Sequence, residues 1–111
     1  RADFTADTPT FVELRDQELR PFSDLLVHDM GEGLADPQGG PLAREWRTAP
    51  LWGLGLLEQV SGHIRLLHDG RARTMLEAIL WHGGEATFAS AAVRQMGPAD
   101  REALLAYLGS L

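Results

Sequence analysis

The chain has 111 residues, 44% of them apolar and 23% charged, the composition of one ordinary folded domain and not of a disordered segment. All ten basic residues are arginine and sixteen residues are acidic, for a net charge of −6, which argues against nucleic acid and against an anionic membrane surface. There is no cysteine, which excludes a disulfide framework, a cysteine zinc site, a thiolate nucleophile and a thioether-linked cofactor, and no apolar run approaches the roughly 20 residues that cross a bilayer.

The sequence opens on Arg1 with no basic-then-apolar leader, the expectation for a processed or excised part of a longer protein. Residues 1–20 are polar around Phe11 and Val12 and read as an irregular N-terminal segment, with a short extended piece near 11–14. Residues 22–30 form an apolar knot that Gly31 and Gly33 stop. LADPQGGPL (34–42) is loop, since Pro and Gly punctuate it. Pro50 biases Ala49 toward extended geometry. Residues 51–60 predict a short helix weakened by Gly53 and Gly55 and ended by Ser61-Gly62.

The second half is clearer. Thr74 and Glu77 make a T-x-x-E capping box, and the helix runs on to His82 before Gly83-Gly84. A second helix over about 85–95 places Phe88, Ala89, Ala92, Val93 and Met96 at helical spacing. Gly97-Pro98 breaks the chain, and Pro98 suits a first helical position. The last helix, about 98–108, has Leu104, Leu105 and Leu108 on one face. With no convincing strand alternation, the expected fold is all-α: a single domain over 1–111 of short helices joined by long loops. Long loops in so small a domain need a reason, and a large apolar cofactor at the centre of the core is one.

His82 shares a helical stripe with Met75, Ala78 and Ile79, so it belongs to or borders the buried face. An imidazole facing a core needs partners for its nitrogens. Two readings stand: a helix-end histidine bonding a backbone carbonyl, or a metal ligand. His68-Asp69-Gly70-Arg71 follows an apolar run; Asp69 is placed to fix the His68 tautomer, or the segment is simply a turn. His28-Asp29 repeats the pattern, but no zinc-site spacing accompanies either pair. Trp46, Trp52 and Trp81 read first as core. Arg44, Arg47, Arg65, Arg71 and Arg73 read as surface ion pairs or as a clamp on an anionic ligand such as haem propionates. Gly31-Glu32-Gly33 lacks the strand–turn–helix setting of a phosphate loop.

Four stretches carry a family resemblance: PFSDLLVHDMGEGLAD (21–36), REWRTAPLWGLG (44–55), LLHDGRARTMLEAILWHGGEA (66–86) and ALLAYLGSL (103–111). Over about residues 8–111 the chain resembles the bacterial di-haem thiol oxidoreductases, which belong with di-haem cytochrome c peroxidase and MauG-like proteins. The resemblance is to their C-terminal cytochrome c domain, and it implies a mostly helical, small cytochrome c-like fold, a haem c, electron transfer between two haems, and export to the periplasm. It implies as partner the N-terminal haem domain of the same protein or a redox protein, and by analogy a calcium ion. The chain alone is then a relay or half of a peroxidase, since catalysis needs the second haem domain.

In the peroxidase relatives the distal ligand of this haem follows H-D-G by fourteen residues, which lands on His82. The resemblance further places His68, Asp69 and Arg71 between the haems, and Arg47 and Trp52 at the pocket wall and a propionate. His28 and His63 stand as candidates for a second axial ligand. The family's C-x-x-C-H-T-P matches Asp3–Pro9 here, so that Asp3 and Ala6 replace the cysteines and Asp7 the proximal histidine; the other readings are an altered chain, or a motif lying upstream. The alternative function is a haem-free domain of the same fold, a structural or partner-binding module with a cleft lined by Trp52, Trp81 and His82.

Overall fold

A computed structural model describes residues 2–3 and 18–111. The extended piece expected near 11–14 and the side chains of 3–9 lie outside the described residues. Strand β1 (Ala2–Asp3) pairs antiparallel with β2 (Glu18–Leu19), Ala2 opposite Leu19, so the ends of the segment expected to be irregular meet as a short ladder.

A second antiparallel pair joins β3 (Val27–Asp29) to β4 (Glu45–Arg47), with His28 opposite Trp46. Main-chain bonds extend it: the Met30 amide donates to Arg44 O (2.9 Å) and the Thr48 amide to Leu26 O (2.8 Å). Between the strands lie two single 3-10 turns, Glu32–Leu34 and Gly40–Leu42. The expectation of an all-α fold is therefore corrected to a mostly helical one. Three-residue strands are too short to show the alternation that identifies a strand.

The helices follow in the expected order. A 3-10 turn, Leu54–Leu56, leads into α1 (Leu57–Ser61), which Gly62 ends in the left-handed conformation (φ 72°). Then come α2 (Met75–Trp81), a 3-10 turn at Gly84–Ala86, α3 (Thr87–Gln95) and α4 (Pro98–Leu108). The Thr74 side chain accepts from the Glu77 amide (3.0 Å). Glu77 reaches back to the Arg73 amide (2.8 Å), one residue beyond the Thr74 amide that a full capping box engages. Helix α2 stops at Trp81, and His82 caps it in extended geometry.

The core lies where the Glu32–Leu34 turn, Ala72, α2 and α3 meet. Among the described residues its buried apolar members are Leu34, Ala72, Ala78 and Val93, with Ser90 buried beside them. The inward face of α3 is thus Ser90 and Val93, and Phe88, expected on that face, is 85% exposed. Leu104, Leu105 and Leu108 are half-buried on α4, as their spacing predicted. None of the three tryptophans is fully buried, which corrects their reading as core. Ordering a backbone costs about 1–2 kcal/mol per residue, and a buried leucine returns about 1.5–3 kcal/mol, so this core is thin for the chain it organises.

Glycine fixes the tertiary geometry at two places. A Cβ on Gly84 (φ +52°) would lie 2.2 Å from Asp29 O, and one on Gly31 (φ +79°) 2.7 Å from the Gly84 nitrogen. A Cβ on Gly55 would lie 1.9 Å from Gly109 O, and beside it the Gly53 amide donates to Leu111 O (2.8 Å). Of the glycines read as helix stops and helix weakeners, Gly83, Gly84 and Gly55 are sites where two backbones touch, whereas Gly62 is not. Replacing Gly84 by Ala is expected to cost about 2–3 kcal/mol, because backbone and not a yielding side chain occupies the space. Urea unfolding of the full chain measures this, and an unchanged midpoint contradicts it.

Candidate functional site

His82 is half-buried at the end of α2. Its Nδ1 lies 2.7 Å from Ala78 O. A carbonyl only accepts, so Nδ1 carries the proton, and in the neutral ring Nε2 is left with a bare lone pair. Among the described residues nothing bonds Nε2. The two readings of His82 are therefore compatible: the backbone bond at one nitrogen sets the tautomer and orients the other, as second-shell carbonyls do for ligating histidines.

The imidazole opens on a cavity of about 330 Å³ whose walls include Met30, Trp81, Gly83, Gly84 and Ser90. Leu80 and Trp81 are shared with a second, more apolar hollow of about 460 Å³ lined also by Thr74, Leu76 and Glu77. Trp81 is the partition between them, and 39% of it is exposed. Both hollows are open to the surface.

The H-D-G-R segment is a turn closed by the Leu66–Ala72 bridge, with Leu67 and Gly70 both at φ 70°. Asp69 does not fix the His68 tautomer: its Oδ2 is 4.0 Å from His68 Nε2, beyond a hydrogen bond. Instead Asp69 accepts from Arg71, at Nε (2.6 Å) and at the amide (3.1 Å). Partial desolvation raises the Asp69 carboxyl, and the Arg71 bonds outweigh it, leaving it below the ordinary carboxylate range. Arg71 also donates from Nη1 to Gly33 O (2.6 Å) and lies 4.9 Å over the Trp81 ring, within cation–π range. His68 stacks on Trp46, centroids 3.5 Å apart and planes at 12°, while Trp46 Nε1 donates to Leu34 O (2.9 Å).

The structure thus gathers His68, Asp69, Arg71 and His82 around the Glu32–Leu34 turn and Trp81. Arg47 and Trp52 line neither hollow. Arg47 is exposed on β4, and Trp52 Nε1 donates to Arg20 O. The cleft expected to combine Trp52, Trp81 and His82 therefore holds only the last two. Arg44 is held by Asp29 (3.0 Å) and Glu32 (3.2 Å) and Arg71 by Asp69, so neither is a free clamp for propionates. His28 has both nitrogens engaged by Asp24 and Glu85, and His63 is exposed. Among the described residues no cluster of three or more His, Asp or Glu is disposed to hold a metal, which leaves the zinc and calcium readings without support. Sequence reasoning missed Met30 and Glu85, whose places depend on pairings far apart along the chain, and Asp24, which lies only four residues before His28.

The family model described as "Di-haem oxidoreductase, putative peroxidase" matches residues 2–111. The chain belongs to this di-haem oxidoreductase family. No curated protein and no solved structure matches it. The family implies haem, and the residues present fit it in one respect only: His82 lines a groove with one imidazole nitrogen held by Ala78 O and the other unbonded among the described residues. Thioether attachment does not fit, because the chain has no cysteine.

Replacing Arg71 by Ala removes the partner of Asp69, the donor to Gly33 and the cover of Trp81 together. Loss of the charged hydrogen bonds is expected to lower the unfolding midpoint modestly, since the pair is solvent-exposed, with altered tryptophan fluorescence. Replacement by Lys restores little, because the planar fork is lost. Urea unfolding followed by fluorescence checks both, and wild-type behaviour of Arg71→Ala contradicts the arrangement.

Proposed function

We propose that the chain is a cytochrome c-like, haem-facing domain of an exported di-haem oxidoreductase, with His82 as axial ligand and electron relay as its role. The observation that carries this is the His82 geometry: Nδ1 tied to Ala78 O and Nε2 free beside the Met30 and Trp81 walls. Haem, when bound, supplies an iron whose charge changes with each electron, tuned by axial ligand and burial.

The residues supply the rest. The Ala78 carbonyl holds the imidazole proton on Nδ1 and so leaves the lone pair of the neutral ring on Nε2. Trp81, Leu80 and Leu76 present apolar surface to a ligand. Arg71 steadies the outer face of Trp81. Large side chains such as Leu56, Val60 and Phe88 are exposed. The partner proposed is the N-terminal haem domain of the same protein or a redox protein. No described helix is long and apolar enough to cross a membrane.

A second reading, a haem-free module of the same family, is favoured by the missing cysteines. Titrating ferric haem into the full chain separates the two. The first reading expects a Soret band that saturates at one haem per chain, and a changed spin state or lost binding in His82→Ala. No saturable band leaves the haem-free module; the same spectrum with and without His82 removes that residue as ligand.

A further inference from the structure

His28, on β3, has a carboxylate at each ring nitrogen. Nδ1 is 2.8 Å from Glu85 Oε2 and Nε2 is 2.7 Å from Asp24 Oδ2. Ionised carboxylates only accept, and a neutral imidazole has one N–H. Both bonds therefore exist together only when the ring is an imidazolium. The neutral ring keeps one bond and turns a lone pair toward the other carboxylate.

Both carboxylates are anchored on their far sides. Glu85 Oε1 accepts from the Asp29 amide (3.2 Å) and Asp24 Oδ1 from the Leu26 amide (2.9 Å). Glu85 belongs to the Gly84–Ala86 turn, directly after the glycines that touch Asp29 and Gly31. His28 thus adds a second side-chain tie between β3 and the turn that follows α2, beside the bond from the Asp29 amide to Glu85 and the backbone contact at Gly84.

The other charges nearby are already paired. Asp29, on the same strand, holds Arg44, and Arg44 also meets Glu32. Across the ladder His28 faces uncharged Trp46, flanked by Glu45 and Arg47. Among the described residues no second cation reaches Asp24 or Glu85.

We propose that His28 is a proton-operated latch: as imidazolium it pins the Gly84–Ala86 turn to β3, and on losing its proton it frees one end of that tie and loosens the groove that His82 faces. The latch stands whether or not the groove takes haem. The electrostatics agree. The bond to Glu85, then that to Asp24, raise the His28 titration above its ordinary value against a small desolvation. Glu85 is lowered by His28 and then by the Asp29 amide. Asp24 is lowered by the Leu26 amide and then by His28.

The signs define a window. A raised histidine gives its stabilisation in full below its unfolded value of about 6.5 and loses it as pH rises through the higher folded value. The lowered carboxylates give theirs above roughly pH 4 and lose it as pH falls through their folded values. The latch is closed in mildly acidic solution and opens toward the alkaline side.

The test is a pH series on the haem-free, isotope-labelled full chain by NMR. It follows the His28 ring, the amides of Asp29 and Gly84–Ala86, and the hydrogen-exchange protection of those amides. The expected result is a His28 midpoint above the ordinary histidine value, with the 84–86 amides shifting and losing protection several-fold at the same midpoint. In Glu85→Gln the midpoint falls and the step in protection disappears. Should that variant unfold, Asp24→Asn, remote from the turn, still lowers the midpoint. A His28 midpoint at the ordinary value, or 84–86 amides indifferent to it, overturns the latch. Neither outcome depends on haem, so failure here leaves the haem titration to be judged separately.

Discussion

Two stretches of main chain meet with no side chain between them, Gly31 on one and Gly83-Gly84 on the other, and the rest of the arrangement hangs on that meeting. It brings the end of β3 against the end of α2, with Asp29 O as the atom that forbids any Cβ on Gly84. Met30 and Glu32 are carried to one wall of the groove, and Trp81 and His82 to the other. Glu85, one residue further on, falls within reach of His28. Such contacts tolerate little displacement, because backbone atoms cannot rotate away as side chains do. A site built on them is held by the main chain itself, which offsets the scarcity of buried side chains elsewhere.

The same scarcity bears on function. Leu34 is the only large side chain that is fully buried among the described residues, and the three tryptophans serve as walls and hydrogen-bond donors. The chain belongs to the di-haem oxidoreductase family, and of the two hollows beside Trp81 the one lined by Leu76 and Leu80 is the more apolar. The 111 residues hold no cysteine, so none of them forms a thioether to haem. His82 remains an imidazole with one nitrogen fixed by a carbonyl.

Much of the helical half was legible in the sequence. Thr74 with Glu77, Gly62 and Pro98 are local signals, each acting within a few residues, and they mark helix ends close to where the chain places them. The strands were not legible: Val27–Asp29 and Glu45–Arg47 are three residues long and are made by pairing across an intervening loop. The inward face of α3 was misjudged because Ser90 is buried and Phe88 exposed, the reverse of what polarity alone predicts. His68-Asp69 looked like a tautomer-fixing pair, and Arg71 took the carboxylate because its fork reaches back across the Gly70 turn. Of the partners of His28, Asp24 lies four residues away, whereas Glu85 had no local signal because it lies 57 residues away.

The central claim is that the ring at position 82 is held at one nitrogen and bare at the other. Long-range proton–nitrogen correlations of the neutral imidazole in the haem-free chain read this directly. The account predicts a single tautomer, protonated at Nδ1, with Nε2 giving the signal of an unprotonated nitrogen. A proton on Nε2, or a ring averaging between the two forms, would contradict it.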